Sequence, residues 1–242
     1  MKYAIIGGNN VEALPIPYRE EVVGTPYGDV VIFRGTLDCG EEVIFRFRHG
    51  VLYRHDPPDI NYRANIYAMH MLGVTHIIGL SSVGACDYAY KLGTLCLISD
   101  FIDLTKNRPR SFERERRLAL HTGMEDVFNP DLNDALEKRI LEKDLPYSGR
   151  AIYCCSEGPR FETAAEVHMM RMIGAQIIGM TLVPEAPLAR DLGMYYAAIG
   201  IISNYATGMM SYVTDEDISS VMCKMRESVF DVCFDLIKST VC

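Results

Sequence analysis

The sequence has no apolar run near the roughly 20 residues that a bilayer-spanning helix requires, which argues against an integral membrane protein. It has no basic block either. Lys and Arg number 24 against 32 Asp and Glu, a formal charge of −8, so the clustered cationic face of a nucleic-acid binder is missing. Neither G-x-G-x-x-G nor a Walker lysine occurs, leaving a dinucleotide or ATP site unsupported. Without G-x-S-x-G there is no nucleophile elbow, and a hydrolase triad is disfavoured. The six histidines make no H-x-E or H-E-x-x-H pair, so no metal site is expected. There is no C-x-x-C pair, and eight cysteines in 242 residues are too few for a disulfide scaffold. Cys96 and Cys233 have apolar neighbours, as buried thiols do, and Cys154-Cys155 reads as strand in preference to a redox pair. Gly7 and Gly8 interrupt the N-terminal apolar run before a signal-peptide core forms. A cytoplasmic, reducing environment is the expectation.

What is present is the material of a full core: 49% hydrophobic and 23% charged residues. No low-complexity linker divides the chain, and residues 1–242 are read as one domain. One pattern recurs, a helix-like stretch, a glycine, then a continuously apolar run. It occurs at Gly73 before Val74–Leu80, at Gly174 before Ala175–Met180 and at Gly193 before Met194–Ile199. Glycine suits a left-handed helix C-cap, and runs apolar at every position belong to strands covered on both faces. The expected fold is α/β, a central mixed and largely buried sheet flanked by helices. Further strands are expected at Lys2–Ile6, Val30–Phe33 and Val43–Arg48, with a turn at Gly24–Gly28. The first helix is expected to open at Asp59 behind Pro57-Pro58. The last follows a capping box, Thr214-x-x-Asp217. The polar stretch Lys106–Arg117 has no apolar period and reads as loop.

Several strand ends are more polar than packing requires. Gly7-Gly8-Asn9-Asn10 suits an anion-cradling turn or a plain tight one. Arg48-His49-Gly50, followed by Tyr53, Arg54 and His55, suits an oxyanion held in a bidentate guanidinium fork, or else a solvated loop. Ser81-Ser82 ends an apolar run where an α/β sheet binds ligands, though a polar turn reads equally well. In Ser156–Thr163, Glu162 is either a helix-start charge or, with a buried Phe161, a reader of a flat heterocycle. Glu185 is a helix-start charge or a buried organiser, and Asn204 offers one donor and one acceptor on a single amide.

Taken together, Ile5–Gly8, Arg48–Gly50, Asn61–Ile66, Glu157–Glu162 and Met180–Glu185 resemble the trimeric purine nucleoside phosphorylase and methylthioadenosine phosphorylase family over nearly the whole chain. The resemblance implies reversible phosphorolysis of an N-glycosidic bond, giving free purine and a pentose 1-phosphate. It implies Arg48, His49, Ser81, Ser82 and Thr181 as phosphate ligands, with Asn9 standing where the family usually has Ser or Thr. Met180 would line the ribose and Phe161 the base. His121 would come from a neighbouring subunit, or is a plain surface residue. Adenine-type members carry Asp where this chain has Asn204 and a second Asp at Ala206, and Ser at Glu162. The Asn204 NH2 can donate to a 6-oxo oxygen while its carbonyl accepts from protonated N7, and the Glu162 carboxylate accepts from N1–H. A 6-oxopurine leaving group, hypoxanthine or guanine, is therefore expected. Arg48–Gly50 and Asn61–Ile66 resemble the methylthioadenosine branch, which keeps methylthioinosine and methylthioadenosine as alternatives. The resemblance further implies a homotrimer or a dimer of trimers (a homohexamer). The partners are purine nucleoside and inorganic phosphate as co-substrate, with no cofactor. The competing classes are a non-catalytic purine-binding protein and a nucleoside hydrolase, whose carboxylate-rich calcium site has no counterpart here.

Overall fold

The structure is a computed structural model. It describes residues 1–8, 14–51, 54–112, 121–210 and 214–241, without the side chains of Asp215 and Val241. Strands β1 (Tyr3–Gly7), β2 (Tyr18–Thr25), β3 (Gly28–Thr36) and β4 (Glu42–Phe47) come first. Helix α1 (Tyr62–Met71) leads into β5 (His76–Ala85) and β6 (Leu95–Asp103). Then come α2 (Pro130–Glu142), β7 (Tyr147–Cys155), α3 (Ala164–Met172), β8 (Ile177–Gly179), α4 (Leu182–Asp191), β9 (Tyr195–Tyr205) and α5 (Asp215–Val241).

The strands form one mixed sheet in the order β2-β3-β4-β1-β5-β8-β7-β6-β9, and β9 also pairs with β5. That second pairing closes the five strands β5-β8-β7-β6-β9 into a ring. β1, β4, β5 and β9 run parallel, while β8 lies antiparallel to β5 and parallel to β7. The C-terminal part of β5 and β8 therefore lie side by side in opposite directions, so the chain leaving β8 runs back along β5, which creates the site described below.

Alternation along the strands feeds two cores, because successive side chains point to opposite faces. Ala4 and Ile6 pack with Tyr62, Ile66, Leu182 and Leu188 of α1 and α4. Tyr3 and Ile5 pack with Leu132, Leu136, Val229 and Phe230 of α2 and α5. Coverage on both faces explains the uninterrupted apolar runs. Cys154 and Cys155 fall in separate clusters on opposite faces of β7 and are free thiols, as the strand reading expects. Burial pushes them up to about 12 and about 11, away from reactive thiolates. Cys39, in contrast, is disulfide-bonded, a departure from wholly reduced cysteines. No helix of the described residues is long and apolar enough to cross a membrane.

The recurring glycines adopt the expected positive φ, +73° at Gly73, +99° at Gly174 and +72° at Gly193. The capping box before α5 is also present: the Asp217 N–H donates to Thr214 Oγ1 at 3.1 Å and the Thr214 N–H to Asp217 Oδ2 at 3.0 Å. The first helix start differs from expectation. Pro57–Asp59 make one 3-10 turn, Ile60 returns to extended dihedrals, and α1 opens behind Asn61, whose side chain accepts from the Ala64 N–H. An extended residue after Asp59 denies it the helical amides a cap must face, so Asn61, next to the first helical residue, takes the role.

Candidate active site

The site begins at the buried ends of β1, β4 and β5. Arg48 follows β4, and its guanidinium is fully enclosed. Nε and Nη2 donate to the two carboxylate oxygens of Glu185 at 2.6 and 2.8 Å. Nη2 also donates to the Ile6 carbonyl and Nη1 to the Leu80 carbonyl, at 3.3 and 3.1 Å. Among the described residues these bonds commit four of the five guanidinium N–H groups, leaving one on Nη1. The bidentate fork expected for an oxyanion is turned onto Glu185 instead, because a buried charge needs a buried countercharge. Nη1 itself lies beside Gly8, where a Cβ would come within 3.3 Å of it. Glu185 is wholly buried and also accepts from the Tyr196 hydroxyl at 2.5 Å, which makes it the organiser and not a helix-start charge.

His49 is buried with Nδ1 2.8 Å from the His55 carbonyl. A carbonyl only accepts, so Nδ1 carries the proton and Nε2 bears the lone pair of the neutral ring. Burial drives its pKa down to about 4, with the neighbouring Arg48 charge acting in the same direction. Ser81 Oγ and Thr181 Oγ1 stand 3.5 Å apart, brought opposite each other by the antiparallel register of β5 and β8. Thr181 precedes α4 but makes no side-chain cap, so its hydroxyl is not spent on the helix. Its N–H and that of Leu182 donate to the Tyr153 hydroxyl at 3.0 and 3.4 Å, which fixes the turn. Ser82 is half-buried on β5. Asn9 lies outside the described residues.

A second group of polar residues sits further along β5. Asn204 on β9 is in register with Gly84, three residues beyond Ser81, or about 10 Å along the strand. A Cβ at Gly84 would stand 3.0 Å from Asn204 Nδ2, so a side chain there would press on the amide. Asn204 Oδ1 accepts from the Ser203 hydroxyl at 2.9 Å and Nδ2 donates to the Tyr205 carbonyl at 3.1 Å. One N–H and one oxygen lone pair remain on the amide. Glu162 is only 8% exposed and accepts from the Ser156 hydroxyl. It does not cap α3; Thr163 does, in a capping box with Glu166. The two groups meet because the loop after β9 packs on the first turn of α3, where a Cβ at Gly208 would lie 2.8 Å from Ala164 Cβ.

Other expected residues are placed differently. Phe161, expected buried, is 46% exposed, because the backbone before α3 puts Glu162 inward and its predecessor outward. Met180 is half-buried, with its sulfur against Gly158. Ala206 packs in an apolar cluster with Cys86, Val167 and Met170 and so closes the floor under α3. His121 is exposed. Sequence reasoning missed Arg108, in the stretch expected to be loop. It is 5% exposed and bonds the carbonyls of Ser156, Glu157, Met180 and Val183. Flanked by Lys106 and Arg110 in a charged run, it carries no sequence signal that separates it from solvated neighbours.

The chain is 41% identical over 236 residues to the 6-oxopurine nucleoside phosphorylase of Pyrococcus furiosus, covering 94% of this chain and 89% of that one. It is 40% identical over 230 residues to the S-methyl-5'-thioadenosine phosphorylase of Pyrococcus horikoshii, covering 94% and 88%. Its fold superposes on the crystal structure of a methylthioadenosine phosphorylase from an antarctic soil metagenomic library with a TM-score of 0.88 and 32% identity, covering 98% of this chain and 86% of that one. The phosphorylase superfamily model matches residues 2–238, and the chain belongs to that superfamily.

Proposed function

We propose that this chain is a purine nucleoside phosphorylase that reversibly cleaves 6-oxopurine nucleosides such as inosine and guanosine, giving free base and ribose 1-phosphate in purine salvage. The carrying observation is that the turn bearing Glu162 packs, through Ala164, on the loop that follows Asn204. Glu162 has one oxygen bonded to Ser156 and further lone pairs to accept from N1–H. Asn204 keeps one N–H for a 6-oxo oxygen and one lone pair for N7–H. Ser81 and Thr181, with Ser82, the Arg48 guanidinium and a neutral His49 that can accept from a protonated phosphate oxygen, suit phosphate at the other end, and Met180, next to Thr181 in the chain, suits the ribose. The separation of about 10 Å leaves room for a pentose. A 6-oxopurine nucleoside phosphorylase among the relatives supports the same reading.

In this reading the glycosidic bond stretches toward an oxocarbenium-like ribosyl cation while negative charge builds on the purine. Asn204 and Glu162 stabilise the leaving base, and phosphate attacks the opposite face. Both sets of contacts strengthen as charge separates, which lowers the barrier more than it tightens substrate. No cofactor beyond phosphate is required. His121 and the exposed Phe161 suit completion by a neighbouring subunit, in a trimer or a dimer of trimers. Met169 and Met172 on α3 and Ile173 just after it support that assembly, Met172 being 75% exposed.

The 40% identity to a methylthioadenosine phosphorylase keeps a 5'-methylthio nucleoside, methylthioinosine above all, as the second reading. Product analysis with inosine, guanosine, adenosine, methylthioadenosine and methylthioinosine, each with and without phosphate, tests both. Phosphate-dependent release of hypoxanthine is expected. Release without phosphate, or binding without release, overturns phosphorolysis in favour of a hydrolase or a purine-binding protein.

A further inference from the structure

We infer that Arg108 is a positioning residue that sets the separation between the turn carrying Glu162 and the turn carrying Met180 and Thr181, a role resting on the phosphorolysis reading above. The backbone ladder joining these turns ends early: the Ser156 N–H donates to the Gly179 carbonyl at 2.9 Å, and among the described residues no backbone bond follows it. Arg108 takes over from there. Nη2 donates to the Glu157 carbonyl at 2.6 Å and toward that of Ser156 at 3.5 Å. Nη1 donates to the Met180 and Val183 carbonyls at 2.6 and 2.7 Å and toward the Tyr62 hydroxyl at 3.1 Å. One planar group thus spans two turns that arise from different strands.

The grip is reciprocal. Glu157 Oε2 accepts from the Lys106 N–H at 2.6 Å, tying the loop that bears Arg108 to the turn Arg108 holds. The side chain is fully enclosed, yet its close partners are neutral carbonyls; the nearest carboxylate oxygen, Glu157 Oε1, lies 3.7 Å from Nε. A site selected for charge alone would place a carboxylate in hydrogen-bond reach. A guanidinium directs donors along two edges of a rigid plane, whereas an ammonium is a compact point charge that cannot serve both sets of carbonyls. The shape of Arg108 is therefore what the two turns require, and displacing them by even 1 Å misaligns base and phosphate groups together.

The experiment compares wild type, Arg108→Ala, Arg108→Lys and a surface control, Arg150→Ala, using inosine and phosphate, with and without millimolar guanidinium. Arg108→Ala is expected to lose about 100-fold in kcat/KM, through both a higher nucleoside KM and a lower kcat. Arg108→Lys is expected to remain impaired although it restores the charge, and it carries the test if the alanine variant does not fold. Guanidinium should restore activity to Arg108→Ala and to neither Arg108→Lys nor Arg150→Ala. Unchanged kcat and KM with only a lower Tm would reduce Arg108 to a structural tie and overturn the inference, as would full activity of the lysine variant. Wild type that releases no base in phosphate overturns the phosphorolysis reading itself, a distinct result.

Discussion

At the end of the site assigned to phosphate, the key groups sit inside the molecule: Arg48, just beyond β4, and Glu185, in α4, have no exposed side-chain surface, and Tyr196 and the Ile6 and Leu80 carbonyls complete their bonds. At the end assigned to the base, Glu162 and Phe161 lie on the turn before α3 and Asn204 near the end of β9; Glu162 is buried, Asn204 half-buried and Phe161 exposed, and Glu162 and Asn204 are bonded by hydroxyls and carbonyls one to six residues away. The difference teaches where variation is tolerated. A buried ion pair cannot change one member without stranding the other, whereas short-range partners at a turn can be exchanged singly. A superfamily can therefore keep its anion chemistry and alter the base it releases.

Substitutions can break that contrast, the largest effect first. Glu185→Ala leaves the Arg48 cation buried without its carboxylate and is expected to cost about 3–5 kcal/mol of unfolding free energy in denaturant titration. The double variant Arg48→Met, Glu185→Leu should recover part of that stability and none of the activity. A loss below about 1 kcal/mol in the single variant would mean that this end is no more braced than the other.

Asn204→Asp should leave stability almost unchanged and shift the inosine-to-adenosine ratio of kcat/KM by about 100-fold toward adenosine, the worth of one or two exchanged hydrogen bonds. An unaltered ratio from steady-state kinetics on both nucleosides would sink the reading of the base by Asn204.

His49 sharpens the comparison through pH. Burial lowers its pKa from 6.5 to about 4 in the folded chain, so below 6.5 the unfolded state takes up a proton the native state refuses. This contribution to stability is complete above 6.5 and is lost as pH falls toward 4. His76, half-buried, is shifted in the same direction by desolvation. Denaturant titrations from pH 4 to 7.5 should show a flatter pH dependence in His49→Gln than in wild type, with the His76 component retained. Equal slopes would place His49 outside the buried end.

The smallest effect belongs to the helix behind the base end. Thr163→Ala removes the α3 cap and should cost about 1 kcal/mol, read from chemical denaturation. Activity with inosine should change little, because Glu162 is held by Ser156 and not by the cap.

Periodicity and punctuation made much of the fold legible. Gly73, Gly174 and Gly193 mark helix ends because only a residue without a Cβ takes a positive φ freely, and Thr214 with Asp217 marks a helix start by local chemistry. The expectation at Asp59 failed by a few residues, since both Asp59 and Asn61 are competent caps and only the extended Ile60 between them decides. The residue types at Ser81, Thr181, Glu162 and Asn204 were legible too. Their assembly was not, because Ser81 and Thr181 are separated by 100 residues and meet only through strand pairing.

By itself, the sequence determined the class of fold, the places where strands end in polar residues and the chemistry those residues can offer, since each depends on side-chain type and local spacing. Only the tertiary structure decided which charges are spent on each other. Arg48 turns its fork onto Glu185 across 137 positions, and Arg108, indistinguishable in sequence from its solvated neighbours, spans two distant turns. Burial makes such choices: a charge removed from water must find its partners wherever the fold has brought them, however far away they lie along the chain.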